Sequence, residues 1–283
     1  MVIYIVVPAH NEAKYLSIFL QSIVNQTVLP QKLVVVDDHS TDETYSIASS
    51  FSAQHPWISV IQIKSEDQHQ PGSKVIQAFQ RGFETLDNKF DLIFKLDADL
   101  DLPPHYIEKI VYHFEKNPKI GIAGGFAYIL KNEQWILENL TDQDHVRGAL
   151  KAYRKTCFEA IGGLKPAMGW DTLDELLAKF YGWEVQTEAA LHVKHLKPTG
   201  ANYSKKSAEL QGLAFNQLGY GVWLTLIATA KLALKKRKIA LFFAYQKGFW
   251  TAFFHNKSKL VTSEQQKFIQ NYRWQKIKQK LSK

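Results

Sequence analysis

The sequence predicts an α/β fold with a mostly parallel, doubly wound sheet, followed by a helical, basic and aromatic-rich C-terminal extension. Short apolar runs of strand length alternate with amphipathic stretches of helix length, and three of the runs end in polar or acidic residues. Strands that alternate with helices form a parallel sheet covered on both faces. We therefore expect the ligand site outside the carboxyl ends of the strands.

The first predicted strand is residues 2–7, a run of β-branched and aromatic residues that ends at Pro8 and is too short to cross a membrane. A helix should follow from about Glu12, because apolar residues recur there at helical spacing: Leu16, Phe19, Leu20, Ile23 and Val24. The next apolar run, residues 33–36, is the second strand, and Pro30 lies in the loop before it.

The alternation continues through the first hundred residues. It predicts helices near residues 41–52 and 74–86, and strands over residues 58–63 and 92–96. The chain of 283 residues is 46% hydrophobic, which is enough for one substantial core with a smaller appendage. Cys157 is the single cysteine, and the N-terminal residues enter a core strand rather than a charged leader, so we expect an unexported protein in a reducing compartment.

Polar groups follow three of the predicted strands. They are Pro8-Ala9-His10-Asn11-Glu12, then Asp37-Asp38-His39-Ser40, then Asp97-Ala98-Asp99. Because the carboxyl ends of parallel strands meet at one edge of a sheet, these groups should converge.

Asp97 and Asp99, one residue apart beyond a strand, can both reach a hard divalent cation that bridges diphosphate oxygens. An Asp that only shapes a turn is the simpler alternative, because Asp101 and two prolines follow. A phosphotransferase with a nucleophilic Asp is a third interpretation, but that motif would more naturally follow the first strand.

The three motifs in this order resemble the pattern of family 2 glycosyltransferases, over at least residues 1–200. The resemblance implies a GT-A fold, with a catalytic domain over residues 1–205 and a C-terminal region over residues 206–283. The donor half would occupy about residues 1–102, and the acceptor half about residues 103–205. It further implies an inverting, metal-dependent transfer from a UDP- or GDP-sugar to a glycan or lipid-linked acceptor in bacterial surface polysaccharide synthesis.

The resemblance also assigns roles to individual residues. Asp97 and Asp99 would hold Mn²⁺ or Mg²⁺, and His195 is a candidate third metal ligand, with a plain surface histidine as the alternative. If His192 and His195 lie in one strand, they point to opposite faces. The nucleotide-sugar would be bound by the residues that resemble the family's donor pocket: Pro8, Ala9, Glu12, Asp38, Lys74, Asp97 and Ala98. Asp38 could also form a turn with Ser40 or Thr41, and Lys74 could be a solvated surface lysine.

The catalytic base of the resembled family lies at an acidic helix start, which here is Asp171 or Asp174. Such a base accepts the proton of the acceptor hydroxyl as its oxygen attacks the anomeric carbon. The sequence departs from the family's usual Glu-Asp pair, so we expect Asp171 to be the base, with Asp174 second. The two residues, three apart, could instead be a helix cap and a first-turn acid.

The positive charge lies at the C-terminal end. Residues 231–283 have a net charge of +13, whereas the preceding residues have −5.

Residues 210–230 contain no charge but too many polar residues for a typical membrane span, and an aromatic run follows at residues 239–254. We expect these helices to bind an anionic membrane surface, with the protein cytoplasmic and attached to the inner face of the membrane. A core-packing hairpin is the alternative, and no nucleic-acid partner is expected because the aromatic residues form a dense block.

Two other functions remain open from the sequence. A sugar nucleotidyltransferase would have a glycine-rich, basic loop after the first strand, which the segment from Pro8 to Glu12 lacks. A membrane-associated binding protein without catalytic activity could have the same fold.

Overall fold

The computed structural model describes residues 1–65, 72–138, 144–197 and 205–282. The chain divides into two compact units, which are described separately below. The first unit contains Met1–Pro166 and Trp170–Thr199, and the second contains Ala167–Gly169 and Gly200–Lys283.

The first unit is built on one sheet. Its strands in the described residues are β1 (Ile3–Ala9), β2 (Lys32–Asp38), β3 (Ile58–Ile63), β4 (Leu92–Leu96), β5 (Leu100–Asp101), β6 (Ile120–Lys131), β7 (Gln134–Leu137), β8 (Leu150–Arg154) and β9 (Glu184–His195). Its helices are α1 (Ala13–Val24), α2 (Thr44–Gln54), α3 (Ser73–Glu84), α4 (Tyr106–Lys116), α5 (Lys155–Ala160) and α6 (Trp170–Phe180).

The strand order is β3-β2-β1-β4-β8-β6-β9-β5, with β7 paired to β6. Pairing is parallel from β3 to β4, where helices make the crossovers, and this confirms the α/β prediction. Beyond β4 the sheet is mixed, because β8 is antiparallel to both β4 and β6. We expected a mostly parallel sheet, and parallel pairing is confined to its first half and the β6–β9 pair. A chain that returns through the β6–β7 hairpin needs no crossover helix and can pair antiparallel.

The core of the first unit lies between the sheet and its helices. Strands β1 and β4 are buried along their whole length, as the apolar runs predicted, and β4 has the predicted bounds. Helix α3 packs unusually close to the sheet at Gly82. A Cβ at Gly82 would lie 2.5 Å from Val36 Cγ2 and 2.7 Å from Val6 Cγ1, so only glycine allows this approach. This packing sets the position of the N-terminus of α3.

The second unit is helical, as predicted for the extension. Its described helices are α7 (Lys205–Gln217), α8 (Val222–Lys235), α9 (Ile239–Phe254) and α10 (Ser263–Leu281). The uncharged stretch at residues 210–230 is divided between α7 and α8, and none of the described helices has the length and apolar content needed to cross a bilayer.

Candidate active site

A cavity of about 400 Å³ opens at the carboxyl ends of β1, β2 and β4. It brings the three predicted motifs together, as the parallel-strand argument required. Its lining residues are Pro8, Ala9, His10, Glu12, Asp38, His39, Ser65, Lys74, Val75, Ala78, Asp97, Ala98 and Asp99. All seven residues predicted for the nucleotide-sugar pocket are among them.

The loops after β1 and β2 hold each other in place. Asn11 and His39 both have left-handed backbone conformations, at φ 54° each, which Asn adopts more readily than most residues. The backbone N–H of Asn11 donates to Ser40 Oγ at 2.9 Å, and the backbone N–H of Thr41 donates to Asn11 Oδ1 at 2.8 Å. The imidazole Nδ1 of His10 lies 2.6 Å from the carbonyl oxygen of Asp38. The two loops therefore form one rigid rim of the cavity.

Asp38 lies on this rim and is buried. Its carboxylate accepts hydrogen bonds from the Ser65 amide at 2.8 Å and from Ser65 Oγ at 2.7 Å. The turn that we considered for Asp38 is made by Asp37 instead, whose Oδ1 accepts from the Ser40 amide at 3.3 Å. Asp37 therefore makes the turn contact with Ser40, and Asp38 lines the cavity.

Lys74 reaches the same cavity from the first turn of α3. Gly72 precedes the helix in a left-handed conformation with φ 77°, which allows the sharp entry into it. Lys74 is half-buried rather than fully solvated. It can therefore present its ammonium group to an anion in the cavity.

Asp97 and Asp99 differ in their surroundings. Asp97 Oδ1 forms a salt bridge with the Nζ of Lys95, a lysine that is almost fully buried in β4. Asp99 is buried, and its Oδ1 has no hydrogen-bond partner. A buried carboxylate oxygen without a partner is costly, so a cation or donor from a bound ligand would stabilise it.

Glu12 contributes a second oxygen of this kind. Its Oε1 accepts from Lys197 Nζ at 2.8 Å, whereas its buried Oε2 has no partner. Burial raises the pKa of Glu12, and the negative charges of Asp99 and Asp97 add to this increase. Two residues that line the cavity, Glu12 and Asp99, thus each have a buried carboxylate oxygen without a partner.

His195 lies beside Asp99 at the end of β9 and is 5% exposed, so the surface-histidine alternative is wrong. His192 is exposed on the opposite face, as predicted for two histidines in one strand. His195 Nε2 lies 3.4 Å from Asp99 Oδ2, and Nδ1 lies 3.1 Å from Glu138 Oε2. Burial alone would lower the pKa of His195, but Asp99 and Glu138 outweigh it and raise the pKa to about 9.

These groups fit a divalent cation. No set of three or more His, Cys, Asp or Glu residues in the described part of the chain forms a complete metal site. Asp99 Oδ1 and His195 Nε2 nevertheless supply an oxygen and a nitrogen ligand side by side, and a bound diphosphate can complete the coordination of Mg²⁺ or Mn²⁺.

The two candidate bases lie in α6. Asp174 is 3% exposed, and its two carboxylate oxygens lie 2.7 and 2.9 Å from Lys151 Nζ. Tyr153 Oη also donates to Asp174, at 2.5 Å. Burial raises the pKa of Asp174 to about 6, against the opposing effect of Lys151. Asp174 is thus enclosed by its partners on β8.

Asp171 is the more accessible of the two, with a side chain that is 32% exposed. Helix α6 begins at Trp170, so Asp171 is a first-turn acid and not the helix cap considered from the sequence. His145 Nε2 lies 3.7 Å from Asp171 Oδ2. Burial would raise the pKa of Asp171, but His145 and Lys151 lower it to about 2, which keeps the carboxylate ionised.

Five residues of this region were not predicted as site residues: Lys95, Glu138, His145, Lys151 and Trp170. The two lysines are exact register partners on β4 and β8, and their amines lie 5.4 and 5.8 Å from the centroid of the Trp170 ring. A lysine inside an otherwise apolar strand was the available signal, because a buried charge requires a partner. The partners themselves come from distant parts of the chain.

Comparison with known proteins agrees with this geometry. The sequence profile described as glycosyl transferase family 2 matches residues 4–162. The chain belongs to glycosyl transferase family 2. The matched region includes all three strand-end motifs and β8.

Among its relatives, an uncharacterised glycosyltransferase of Nostoc sp. is 28% identical over 169 residues, 58% of this chain and 50% of the relative. The O-antigen chain rhamnosyltransferase of Salmonella typhimurium is 27% identical, over 58% of this chain and 55% of its own length. The dolichol-phosphate mannosyltransferase of Pyrococcus furiosus is 29% identical, over 48% of this chain and 36% of its own length. The matches thus span only part of each relative, about half of it or less.

Two solved structures share the fold. S. aureus TarS in complex with UDP-GlcNAc superposes with a TM-score of 0.59 at 15% identity, covering 78% of this chain and 68% of TarS. The mannosyltransferase of Pyrobaculum calidifontis in complex with GDP-Man and Mn²⁺ superposes with a TM-score of 0.55 at 16% identity. The superposition covers 89% of this chain and 75% of the mannosyltransferase. These similarities confirm the predicted GT-A fold.

Proposed function

We propose that this protein is an inverting, metal-dependent glycosyltransferase that transfers a sugar from a nucleoside-diphosphate sugar to a hydroxyl of a glycan or lipid-linked acceptor. The observation that carries the proposal is the cavity at the ends of β1, β2 and β4, where Asp99 Oδ1 and Glu12 Oε2 are buried without partners. A relative named as an O-antigen chain rhamnosyltransferase supports a role in bacterial surface polysaccharide synthesis, and one named as a dolichol-phosphate mannosyltransferase supports a lipid-linked acceptor.

The donor would bind along the cavity. Asp38 and the loop from Pro8 would contact the nucleoside, and the Lys74 ammonium would approach the diphosphate. Asp99 and His195 would hold a Mn²⁺ or Mg²⁺ ion, and Asp97 would contribute from its ion pair with Lys95. The cation would neutralise charge on the departing diphosphate. The structures with UDP-GlcNAc and with GDP-Man and Mn²⁺ support the ligand class.

Asp171 suits the role of catalytic base better than Asp174 does. It is partly exposed and ionised, whereas both oxygens of Asp174 are held by Lys151. The acceptor oxygen would attack the anomeric carbon as its proton passes to Asp171. The bond from that carbon to the diphosphate oxygen would break, with its electron pair leaving on the nucleoside diphosphate. A single displacement of this kind inverts the anomeric configuration.

The experiment is a transfer assay with radiolabelled UDP- and GDP-sugars, with Mn²⁺ or EDTA, on membrane extracts as acceptor source. We expect metal-dependent release of UDP or GDP that is lost in Asp99→Ala. Full activity in that variant would contradict the metal role. Pyrophosphate formation from a nucleoside triphosphate would indicate a nucleotidyltransferase, and nucleotide binding without turnover would indicate a binding protein.

We also propose that the second unit attaches the protein to the inner face of an anionic membrane. Residues 210–263 contain eight Lys or Arg and no Asp or Glu, so they account for the whole net charge of +8. The α8–α9 turn, residues 234–239, joins Leu234 and Ile239, each 77% exposed, through four consecutive cations. Exposed apolar side chains beside clustered cations match the headgroup region of an anionic bilayer.

The conformation of this turn supports the same conclusion. Arg237 has a φ of 51°, in the left-handed region where Gly or Asn is usual at a helix end. Burial lowers the pKa of Lys236, and the positive charges of Lys235 and Lys238 lower it further. The turn thus concentrates positive charge at some cost to the folded chain, which an external anion would offset.

Vesicle sedimentation tests this attachment. We expect the protein to bind phosphatidylglycerol vesicles but not phosphatidylcholine vesicles, less strongly at high salt. The double variant Leu234→Gln with Ile239→Gln should lose most of the binding. Leu281→Gln is the matched control, because Leu281 is 82% exposed but lies at the end of α10. Equal loss in the control, or no loss in the double variant, would contradict the assignment of the turn.

A further inference from the structure

Glu138 is a buried carboxylate that the proposed reaction does not use directly. It follows β7, where its amide donates to the Ala127 carbonyl oxygen at 2.9 Å. Its side chain is 2% exposed and accepts from Arg147 Nη1 at 2.7 Å. The Glu138 carboxylate therefore points into the protein and is compensated there by a guanidinium group.

The second contact of Glu138 is with His195. His195 Nδ1 lies 3.1 Å from Glu138 Oε2, and this contact orients the ring so that Nε2 lies 3.4 Å from Asp99 Oδ2. The three side chains come from the segment after β7, from β9 and from the segment after β4. Without Glu138, the ring could rotate about its side-chain bonds and turn Nε2 away from Asp99.

We propose that Glu138 is a positioning residue for the cation and diphosphate site, acting through His195. A histidine that binds a metal through one nitrogen commonly donates from the other to a carboxylate, which sets the ring orientation. Glu138 stands at this second nitrogen, and the Arg147 guanidinium lies against its buried side chain. The inference rests on the proposed function, because it assigns Glu138 to the same site.

The first test measures Mn²⁺ affinity in the presence of UDP or GDP, by electron paramagnetic resonance or calorimetry, without an acceptor. We expect Glu138→Gln to weaken Mn²⁺ binding by about 10- to 100-fold, the range seen when such carboxylates are removed. Glu138→Asp should recover part of the affinity, because it restores the charge at a shorter reach. Unchanged affinity in Glu138→Gln would overturn the proposal.

A matched control uses a half-buried His–carboxylate contact between α4 and β9. Glu188 Oε2 lies 2.8 Å from His113 Nε2, and neither residue lines the cavity. Glu188→Gln should leave Mn²⁺ affinity unchanged. An equal loss in this variant would mean that the effect is structural and would overturn the proposal.

A double-mutant cycle tests whether Glu138 acts through His195. If it does, Glu138→Gln should add little to the loss of affinity in His195→Gln. Additive losses would overturn the proposal. If Glu138→Gln does not fold, Glu138→Asp combined with His195→Gln measures the same coupling. A wild-type protein that binds no Mn²⁺ with either nucleotide would overturn both this inference and the metal role, whereas Mn²⁺ binding without sugar transfer would contradict the proposed function alone.

Discussion

Lys151 on β8 and Asp174 on α6 form a buried ion pair in which the lysine Nζ lies 2.7 and 2.9 Å from the two carboxylate oxygens. The same amine donates to the backbone oxygen of Asp171 at 2.5 Å and lies 3.2 Å from Glu175 Oε1. One cation thus fixes α6 against the sheet and positions the candidate base. It is completely buried, so its removal leaves the buried Asp174 carboxylate without its cation.

Lys151→Met should therefore destabilise the protein by about 3–5 kcal/mol, the usual cost of breaking a buried pair. Urea unfolding followed by circular dichroism measures this loss. Lys194→Met is the control, because its salt bridge with Asp101 is 48% exposed on the lysine side and should contribute less than about 1 kcal/mol. Equal destabilisation by both substitutions would contradict the central place of Lys151.

Asp171→Asn should lower kcat by about 10²- to 10⁴-fold, because the amide cannot accept the acceptor proton. Binding of UDP or GDP should be unchanged, since the cavity lining does not include Asp171. Single-turnover transfer and nucleotide titration separate these effects. Glu159→Gln, at an exposed position on α5, is a control that should retain kcat. A variant Asp171→Asn that transfers sugar at the wild-type rate would exclude Asp171 as the base.

His145 should make stability pH-dependent. Burial lowers the pKa of His145, but contacts with Asp171 and Glu175 outweigh it and raise the pKa from 6.5 to about 9. The folded protein holds this proton more tightly than the unfolded chain, so the stabilisation is complete below about pH 6.5 and is lost as pH rises through about 9.

The free energy of unfolding of the wild type should therefore fall between these pH values, and His145→Asn should reduce the slope. Denaturant titrations at several pH values measure it. Some slope should remain in the variant, because the pKa of His195 is also raised to about 9. A His145→Asn variant that keeps the full wild-type slope would contradict the assignment.

Gly212 on α7 and Gly248 on α9 allow a close helix crossing. A Cβ at Gly212 would lie 1.8 Å from the carbonyl oxygen of Tyr245, and one at Gly248 would lie 1.8 Å from that of Glu209. These are backbone atoms that cannot rotate away. Gly212→Ala or Gly248→Ala should therefore destabilise the second unit by about 1–3 kcal/mol.

Thermal unfolding monitored by tryptophan fluorescence tests this prediction. Gly221→Ala is the matched control, since its Cβ would meet only the flexible side chain of Gln270, at 3.3 Å. A lower melting temperature in the control than in Gly212→Ala would contradict the crossing as the cause.

Much of the first unit could be predicted from the sequence because its signals are local. The runs at residues 2–7 and 92–96 are apolar and short, and both form strands in the predicted places. Parallel pairing then brings Glu12, Asp38 and Asp99 to one cavity without further information. The fold class and the convergence of these residues follow from periodicity and strand ends, whereas the roles proposed for them come from the resemblance to the family.

The tertiary structure decided what depends on pairing between distant segments. The antiparallel return of β8 places Lys151 opposite Lys95 and next to Asp174, so it encloses one candidate base and leaves Asp171 more accessible. The contact of Glu138 with His195 joins residues 57 positions apart. A side chain's charge can be read from the sequence, but the partner that compensates it when it is buried is set only when the strands pair.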